Sequence, residues 1–157
     1  MRFTLLCCFA AISLTACGSS SPAPADAIVD AIRSSPSAGR IHALNAAAHR
    51  DRGDVSSLAP LLDAKDPDVR FGAVYVASLW ADDAGDIAVL APLLNDPNEG
   101  IRAMVAGSLA GLEHDGARQV LGSLLASSAP MPFSDPPITV GRFTADVLNR
   151  QQRAGLR

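Results

Sequence analysis

The chain has 157 residues, of which 48% are hydrophobic and only 4% are aromatic, and its formal net charge is −3 at pH 7. This length suits one domain. Mild acidity with a single lysine argues against a nucleic-acid surface, because phosphate binding needs clustered Lys and Arg. Few aromatic residues and many alanines favour closely packed helices over a β-barrel or a β-sandwich.

The N-terminal segment has the pattern of a secretory signal. Arg2 is followed by an apolar run at residues 3–14, which is too short to span a bilayer and has the length of a signal-peptide core. The run ends in the tetrapeptide Leu-Thr-Ala-Cys, which closes at Cys17 and resembles the lipobox of bacterial lipoproteins. The resemblance implies that residues 1–16 are removed and that the Cys17 sulfur receives a diacylglyceryl group.

Two alternatives to the lipobox are a chance string and an ordinary signal peptide cut after an Ala-x-Ala site. The position of the motif at the end of the apolar run favours the lipobox, as do the small, Ser-rich and Pro-rich residues that follow it. We therefore expect a lipoprotein signal peptide at residues 1–16 and a lipid-anchored tether at residues 17–25. The protein is then exported and held on the membrane through Cys17. Because Gly18 and not Asp follows the cysteine, the same resemblance implies the outer membrane of the bacterial cell envelope, facing the periplasm.

A repeated block divides the rest of the chain into four units. The block Leu-Ala-Pro-Leu-Leu begins at Leu58 and recurs 32 residues later at Leu90. An arginine follows each block start by twelve residues, at Arg70 and Arg102. Weaker copies lie upstream and downstream at offsets of 30 and 31, so that the units start near residues 26, 54, 86 and 115. Such a period is typical of solenoids, in which stacked units share one core.

Each unit has the pattern of two helices joined by a tight turn. Asp66 and Asp96 each precede a proline, which predicts a helix N-cap followed by proline in the first turn. Pro60 and Pro92 lie inside the first helices of their units. We expect them to kink those helices, because the ring removes one amide donor and clashes with the preceding turn.

The Leu-x-Pro-Leu-Leu blocks, the Asp-Pro turns and the Val-Arg and Ile-Arg pairs resemble the HEAT-repeat family, including its shorter bilin-lyase-like relatives, over about residues 26–150. The resemblance implies an all-α fold, a right-handed α-α superhelix or HEAT-like solenoid of about four helical hairpins, in a domain at residues 26–152. In the family, the turn Asp and the following Arg form a structural ladder between units. The matching positions here are Asp66, Arg70, Asp96 and Arg102.

No pattern in the sequence indicates a catalytic residue, a metal site or a cofactor site. His42 and His49 are seven residues apart, which is about 10 Å along a helix, whereas chelation by a helix needs a spacing of four. The acidic cluster at residues 82–86 lacks the spacing of a calcium loop and is expected to be a solvated turn. No phosphate-cradling Gly-rich loop is present.

The candidate binding surface is the concave side, which the second helices line in HEAT-like stacks. Positions two, five and nine after each helix-starting arginine are expected to face outward there. The resulting partner-binding candidates are His42, Asn45, His49, Tyr75, Met104 and Thr144, with Gly72 and Gly107 between them. Tyr75 and Met104 are the expected apolar anchors. The alternative, that these two residues are partly buried packing residues, stays open.

The last unit carries a proline-rich insertion at residues 127–137, which contains Met131 and Phe133. Folding back as a lid is favoured over protruding towards a partner, because an exposed Phe needs a reason.

We therefore predict a non-catalytic protein-binding scaffold of the envelope, with a protein partner and the membrane as its contacts. No enzyme activity, cofactor or nucleic-acid partner is expected. A HEAT-like enzyme of the lyase type and a structural assembly factor of a membrane complex remain as alternatives.

Overall fold

A computed structural model of the chain describes residues 24–36, 39–112 and 114–155. The predicted signal peptide, the lipidation site Cys17 and most of the predicted tether lie outside the described residues. The first described helix begins at Pro24, two residues before the predicted start of the repeat domain.

All regular elements in the described residues are helical, which confirms the all-α prediction. The α-helices are α1 (Pro24–Ser34), α2 (Arg40–Arg50), α3 (Ala59–Leu62), α4 (Pro67–Trp80), α5 (Ala84–Leu90), α6 (Glu99–Gly111), α7 (Asp115–Leu124) and α8 (Val140–Arg153). Two short 3₁₀ helices, Val55–Leu58 and Ala91–Asn95, adjoin α3 and α5.

The helices form two layers. The second helices of the four units, α2, α4, α6 and α8, pack side by side in chain order, and the first helices stack behind them. A single hydrophobic cluster runs from Ile28 in α1 to Val147 in α8. The fold is therefore an α-helical solenoid of four hairpins, as the repeat pattern predicts.

Proline divides the first helix of the two central units. The 3₁₀ helix that ends at Leu58 gives way to α3 one residue before Pro60, and α5 ends at Leu90, two residues before Pro92. Each proline thus lies in the first turn of a new helical segment, where its missing N–H would have no intrahelical partner anyway. The expected kink takes the form of a change between helix types.

The turns before α4 and α6 differ. Asp66 caps α4, since its side chain accepts a hydrogen bond from the N–H of Asp68 (2.9 Å). Asp96 was expected to cap α6 in the same way, but the N-cap of α6 is Asn98, whose side chain accepts from the N–H of Gly100 (2.9 Å). The expectation is wrong at Asp96 because the 32-residue offset between the units places Asn98, and not Asp96, at the position of Asp66.

The insertion of the last unit folds back over the molecule. We call residues 127–139 the strap. It closes as a short hairpin, in which the N–H of Met131 donates to the carbonyl of Ile138 (2.9 Å). Met131 is buried. Pro132 packs directly on Gly100 in the first turn of α6, so that a side chain at position 100 would clash with the proline ring.

The strap also reaches the first and second units through Phe133. The ring of Phe133 meets that of Phe71 in α4 edge-on, with centroids 5.2 Å apart, and the guanidinium carbon of Arg40 in α2 lies 5.0 Å from its centroid. Phe133 has φ 57°, a left-handed backbone conformation that is unusual for a bulky residue. Packing on both sides of the ring offsets the cost of this backbone conformation.

Candidate functional site

An open groove of about 400 Å³ lies on the face of the second helices. Three helices line it, with Tyr75 from α4, Met104, Gly107, Ser108 and Gly111 from α6, and Phe143, Val147, Arg150 and Gln151 from α8. The groove runs along α6 and α8, which lie next to each other in the solenoid. From Met104 to Gly111 it extends over two helical turns, or about 10 Å.

Small residues of α6 form the floor of the groove. Gly107, Ser108 and Gly111 recur on one side of the helix, and a Cβ atom built at Gly111 would meet no atom within 4 Å. The backbone of α6 is therefore accessible to a bound molecule at this position. Phe143 and Val147 supply the apolar wall on the opposite side.

Tyr75 is a partly buried packing residue that also lines the groove. It is half-buried and packs against the core cluster, while the edge of its ring lines the groove. Its hydroxyl donates a hydrogen bond to Oδ1 of Asn45 in α2 (3.0 Å), which fixes the orientation of the ring. Met104 is also half-buried, packed against the core and exposed to the groove.

Arg150 is the one charged residue among those that line the groove. Its Nε donates to the backbone carbonyl of Asp146 (3.3 Å), while the carboxylate of Asp146 pairs with Arg142 (3.5 Å). Within the described residues, Arg150 forms no ion pair with a carboxylate. Its positive charge at the end of the groove is thus left without a neutralising side chain.

His42, Asn45 and His49 do not line this groove. His42 and His49 are exposed on α2, which is three units away from α8, and the amide oxygen of Asn45 accepts the hydrogen bond of Tyr75. His42 instead borders a second cleft of about 450 Å³ between α2 and the strap, where Phe133 and Asp135 are among its neighbours. The structure therefore separates the predicted surface into two parts.

Thr144 is not on the surface. It is fully buried, and its hydroxyl has no hydrogen-bond partner among the described residues. The reason is the helix register, because Thr139 caps α8 and Thr144 is then the fifth helical residue. Phe71 in α4 and Ala103 in α6 hold the same fifth position, and both are buried.

Gly72 was also expected to face outward, and it is buried instead. A Cβ atom at this position would lie 2.5 Å from Cδ1 of Ile32 in α1. The glycine therefore allows α1 to pack closely on α4, and it has no part in the groove.

The groove residues of α8 were missed in the sequence. Phe143, Val147 and Arg150 recur at intervals of four and three residues, which places them on one side of a helix. This spacing is recognised once α8 is known to begin after its N-cap Thr139, whose side chain accepts a hydrogen bond from the N–H of Arg142 (3.2 Å). Val147 and Gln151 lie five and nine residues after Arg142, so the rule of positions two, five and nine includes both when it is applied along all of α8, whereas Phe143 and Arg150 lie outside it.

The ladder residues lie at the N-terminal ends of the second helices. Arg70 of the second unit forms a bidentate pair with Asp96 of the third, with Nε–Oδ2 2.9 Å and Nη2–Oδ1 3.2 Å. The first unit has a corresponding pair, in which Arg40 reaches Asp68 (2.9 Å) and not Asp66. Two successive junctions between units are thus joined by an Arg–Asp pair.

Arg102 anchors its own turn. Its Nη1 donates to the carbonyls of Asp96 (2.8 Å) and Pro97 (3.2 Å), while a weaker pair joins Nη2 to Glu99 (3.5 Å). Glu99 in turn accepts a hydrogen bond from the hydroxyl of Ser127 at the base of the strap. The third junction is therefore made through Glu99 and the strap.

A group of acidic residues lies between the second and third units. One carboxylate oxygen each of Asp82, Asp83 and Asp86 lies within 4.8 Å of the others, which is close enough to hold a cation. These carboxylates already have other roles: Asp83 caps α5 by accepting from the N–H of Gly85 (2.7 Å), and Asp86 accepts from the N–H of Asp82 (2.9 Å). Local capping explains the cluster.

Comparisons with known proteins identify the repeats. Residues 55–131, about half of the chain, match the family model for HEAT repeats. Over this segment, the repeats of the chain match the HEAT-repeat family. HEAT repeats commonly mediate protein–protein interactions, so the match indicates a protein-interaction scaffold. Searches of the curated proteins and of the solved structures gave no match.

The matched segment extends from the second unit of the solenoid into the strap. It includes Tyr75 and the α6 floor of the groove but not the α8 wall. Within the part of the chain that the structure describes, none of the helices is long and apolar enough to cross a membrane.

Proposed function

We propose that this protein is a lipid-anchored HEAT-repeat protein of the bacterial cell envelope that binds another protein and does not catalyse a reaction. The lipobox-like sequence ending at Cys17 supports the anchor, and Gly18 after it supports the outer membrane, with the solenoid facing the periplasm. Two acyl signals are enough for stable membrane attachment.

The groove between α6 and α8 is the observation that carries the proposed binding function. It combines an accessible helix backbone, two half-buried anchors in Tyr75 and Met104, and an apolar wall. Its lining includes no Asp, Glu, His or Cys, so it lacks the side chains that most often act as a general base or a nucleophile. This composition favours binding over catalysis.

The repeat length supports a finer family assignment. Offsets of 30 to 32 residues are shorter than the roughly 40 to 47 residues of ordinary HEAT units. We therefore assign the chain to the short, bilin-lyase-like group as part of this proposal. The assignment concerns the repeats and implies no lyase activity.

Two glycine variants test the groove with matched chemistry. Gly111 lies on the groove floor and Gly122 lies on α7, and a Cβ atom at either position would meet nothing within 4 Å. Replacing either glycine by leucine is expected to stabilise its helix by roughly 0.5–1 kcal/mol, because glycine is a poor helix former. Only Gly111→Leu adds bulk to the groove.

The assay is capture of envelope proteins from detergent extracts by the full-length chain. We expect a stoichiometric partner that Gly122→Leu retains and Gly111→Leu loses. A partner retained equally by both variants would mean that the groove is not the binding surface, as expected for a structural assembly factor. Turnover of a small molecule without a protein partner would contradict the proposal.

The anchor is tested separately with Cys17→Ala. We expect the wild-type chain to have a mature mass that corresponds to residues 17–157 plus a diacylglyceryl group, and to partition into the detergent phase. The variant should remain in the aqueous phase. An unmodified, uncleaved wild-type chain would contradict the lipid anchor but would not bear on the proposed binding function of the groove.

A further inference from the structure

We infer that the groove binds a protein segment that carries closely spaced apolar side chains and places a carboxylate at the Arg150 end. This inference rests on the proposed function and specifies the partner. It follows from the shape of the groove, from its apolar lining and from the one charge that it contains.

The dimensions limit the segment to a short motif. A length of about 10 Å accommodates roughly three residues in an extended conformation or two turns of a helix. Gly111 lets the backbone of the bound segment approach α6 closely, because a Cβ atom there would meet nothing within 4 Å, whereas the side chains of Val147 and Phe143 already pack against Gly107. The motif therefore has two or three apolar side chains within about three to seven residues.

The apolar character of the motif follows from the wall and the anchors. Phe143 and Val147 face Met104 across the groove, and the ring of Tyr75 closes one side. A polar segment would lose its hydration here without gaining hydrogen bonds from these side chains. Apolar side chains gain free energy by displacing water from the same surface.

The carboxylate follows from the charge at the end of the groove. The chain is acidic as a whole, yet the groove lining includes a cation and no anion. The carboxylate of Asp146, one turn away on α8, forms an ion pair with Arg142. The guanidinium of Arg150 therefore keeps N–H groups available for a ligand. Arginine binds a carboxylate through two parallel hydrogen bonds, which supplies orientation as well as affinity.

The test is a selection of random octapeptides on the full-length chain. We expect the enriched peptides to combine two apolar residues with Asp or Glu, and a synthetic selected peptide to bind about tenfold more weakly when its carboxylate is replaced by an amide. In Arg150→Gln, the acidic and amide forms should bind equally. Arg33→Gln removes the same charge from α1, far from the groove, and should keep the tenfold difference.

The outcomes separate this inference from the proposed function. Apolar peptides without an acidic residue, or an acidic preference that survives Arg150→Gln, would overturn the inference. If binding of those peptides is still lost in Gly111→Leu, the groove remains a protein-binding site. Absence of any enrichment, or enrichment unaffected by Gly111→Leu, would overturn both. If a detergent or a fatty acid fills the groove without displacing a selected peptide, the peptide binds elsewhere. That result would also overturn the inference.

Discussion

The substitution Asp96→Asn is predicted to destabilise the solenoid strongly, because it breaks an ion pair that is nearly inaccessible to water. The Asp96 side chain is 4% exposed and that of Arg70 is 13% exposed. Both carboxylate oxygens accept hydrogen bonds from the guanidinium group, and Oδ1 also accepts from the N–H of Asn98 (2.8 Å). An asparagine at this position would turn its NH₂ group towards one of these donors or towards the core.

The expected cost is about 3 kcal/mol of unfolding free energy. Removing one partner of a buried ion pair typically costs about 3–5 kcal/mol, because the remaining charge stays buried without compensation. The lower end applies here, since Arg70 keeps a hydrogen bond from Nη1 to the carbonyl of Ala64 (2.7 Å). For a domain of this size the loss corresponds to a fall in Tm of about 10 °C.

Asp68→Asn is the matched control. Asp68 makes the corresponding pair with Arg40 one junction earlier, but the two side chains are 48% and 24% exposed. An exposed pair contributes at most about 1 kcal/mol, so this variant should lose less than that. The same chemical change at two successive junctions thus compares a buried, bidentate pair with an exposed pair that has one hydrogen bond.

Both variants are to be measured by urea unfolding, because urea, unlike guanidinium chloride, does not screen charges. Circular dichroism gives the midpoint and the m-value of each transition. Equal losses of stability at the two positions would refute the reasoning from burial. A change in m-value would instead mean that the denatured or native ensemble has changed, and the comparison would then be repeated by thermal unfolding.

Three further substitutions probe other contacts. Phe133→Ala should destabilise the fold by about 1 kcal/mol more than Phe133→Gly in unfolding measurements. Both variants lose the ring contacts, but only glycine relieves the strain of the positive φ. The opposite order would contradict a strained backbone in the strap. Gly141→Ala should cost more than about 2 kcal/mol, since its Cβ would lie 2.5 Å from a backbone carbonyl oxygen, whereas Gly122→Ala should be neutral or stabilising in the same assay. Trp80→Phe should lower the free energy of unfolding by about 1–3 kcal/mol, because it leaves the buried carbonyl of Ala48 without its indole N–H donor (3.0 Å). Thermal unfolding measures this loss, and an unchanged Tm would mean that the hydrogen bond adds nothing to stability.

The sequence predicts the solenoid well because the controlling information is local and repeated. The block at Leu58 and its copy at Leu90 each specify a helix break at a proline, and the Asp-Pro turns mark the approach to the second helices. Each unit needs only its neighbours to bury its apolar side, so a period read along the chain is sufficient to derive the stacking.

The candidate site is predicted only in part, because its residues depend on the register of each helix. Tyr75 and Met104 line the groove, and they lie five and two residues after Arg70 and Arg102, which hold the same position in α4 and α6. Thr144 is buried, as is Gly72 at the same distance from its arginine, and Phe143 and Arg150 lie outside the positions two, five and nine residues after Arg142. A long insertion stands before α8 in place of the Asp-Pro turn that precedes α4 and α6.

The strap could not be derived from periodicity, because its contacts join distant units. Phe133 belongs to the fourth unit, yet it packs on Phe71 of the second unit and under Arg40 of the first. No local pattern specifies which helix ends such a segment will cover. Burial of Met131 and Phe133 does explain why apolar residues occur in an otherwise proline-rich loop.

The strap and the ladder together separate stability from binding in this molecule. An open solenoid transmits stability only between neighbouring units, so its ends can unfold independently. Here, contacts between Phe133 and Arg40 tie the last unit to the first, which favours unfolding of the four units as one. These ties lie at the N-terminal ends of the second helices, whereas the groove extends towards their C-terminal halves, to Gly111 and Arg150. Gly111 and Arg150 are exposed, so they are free to vary for a partner without loosening the contacts that hold the units together, whereas Tyr75 and Val147 also pack in the core.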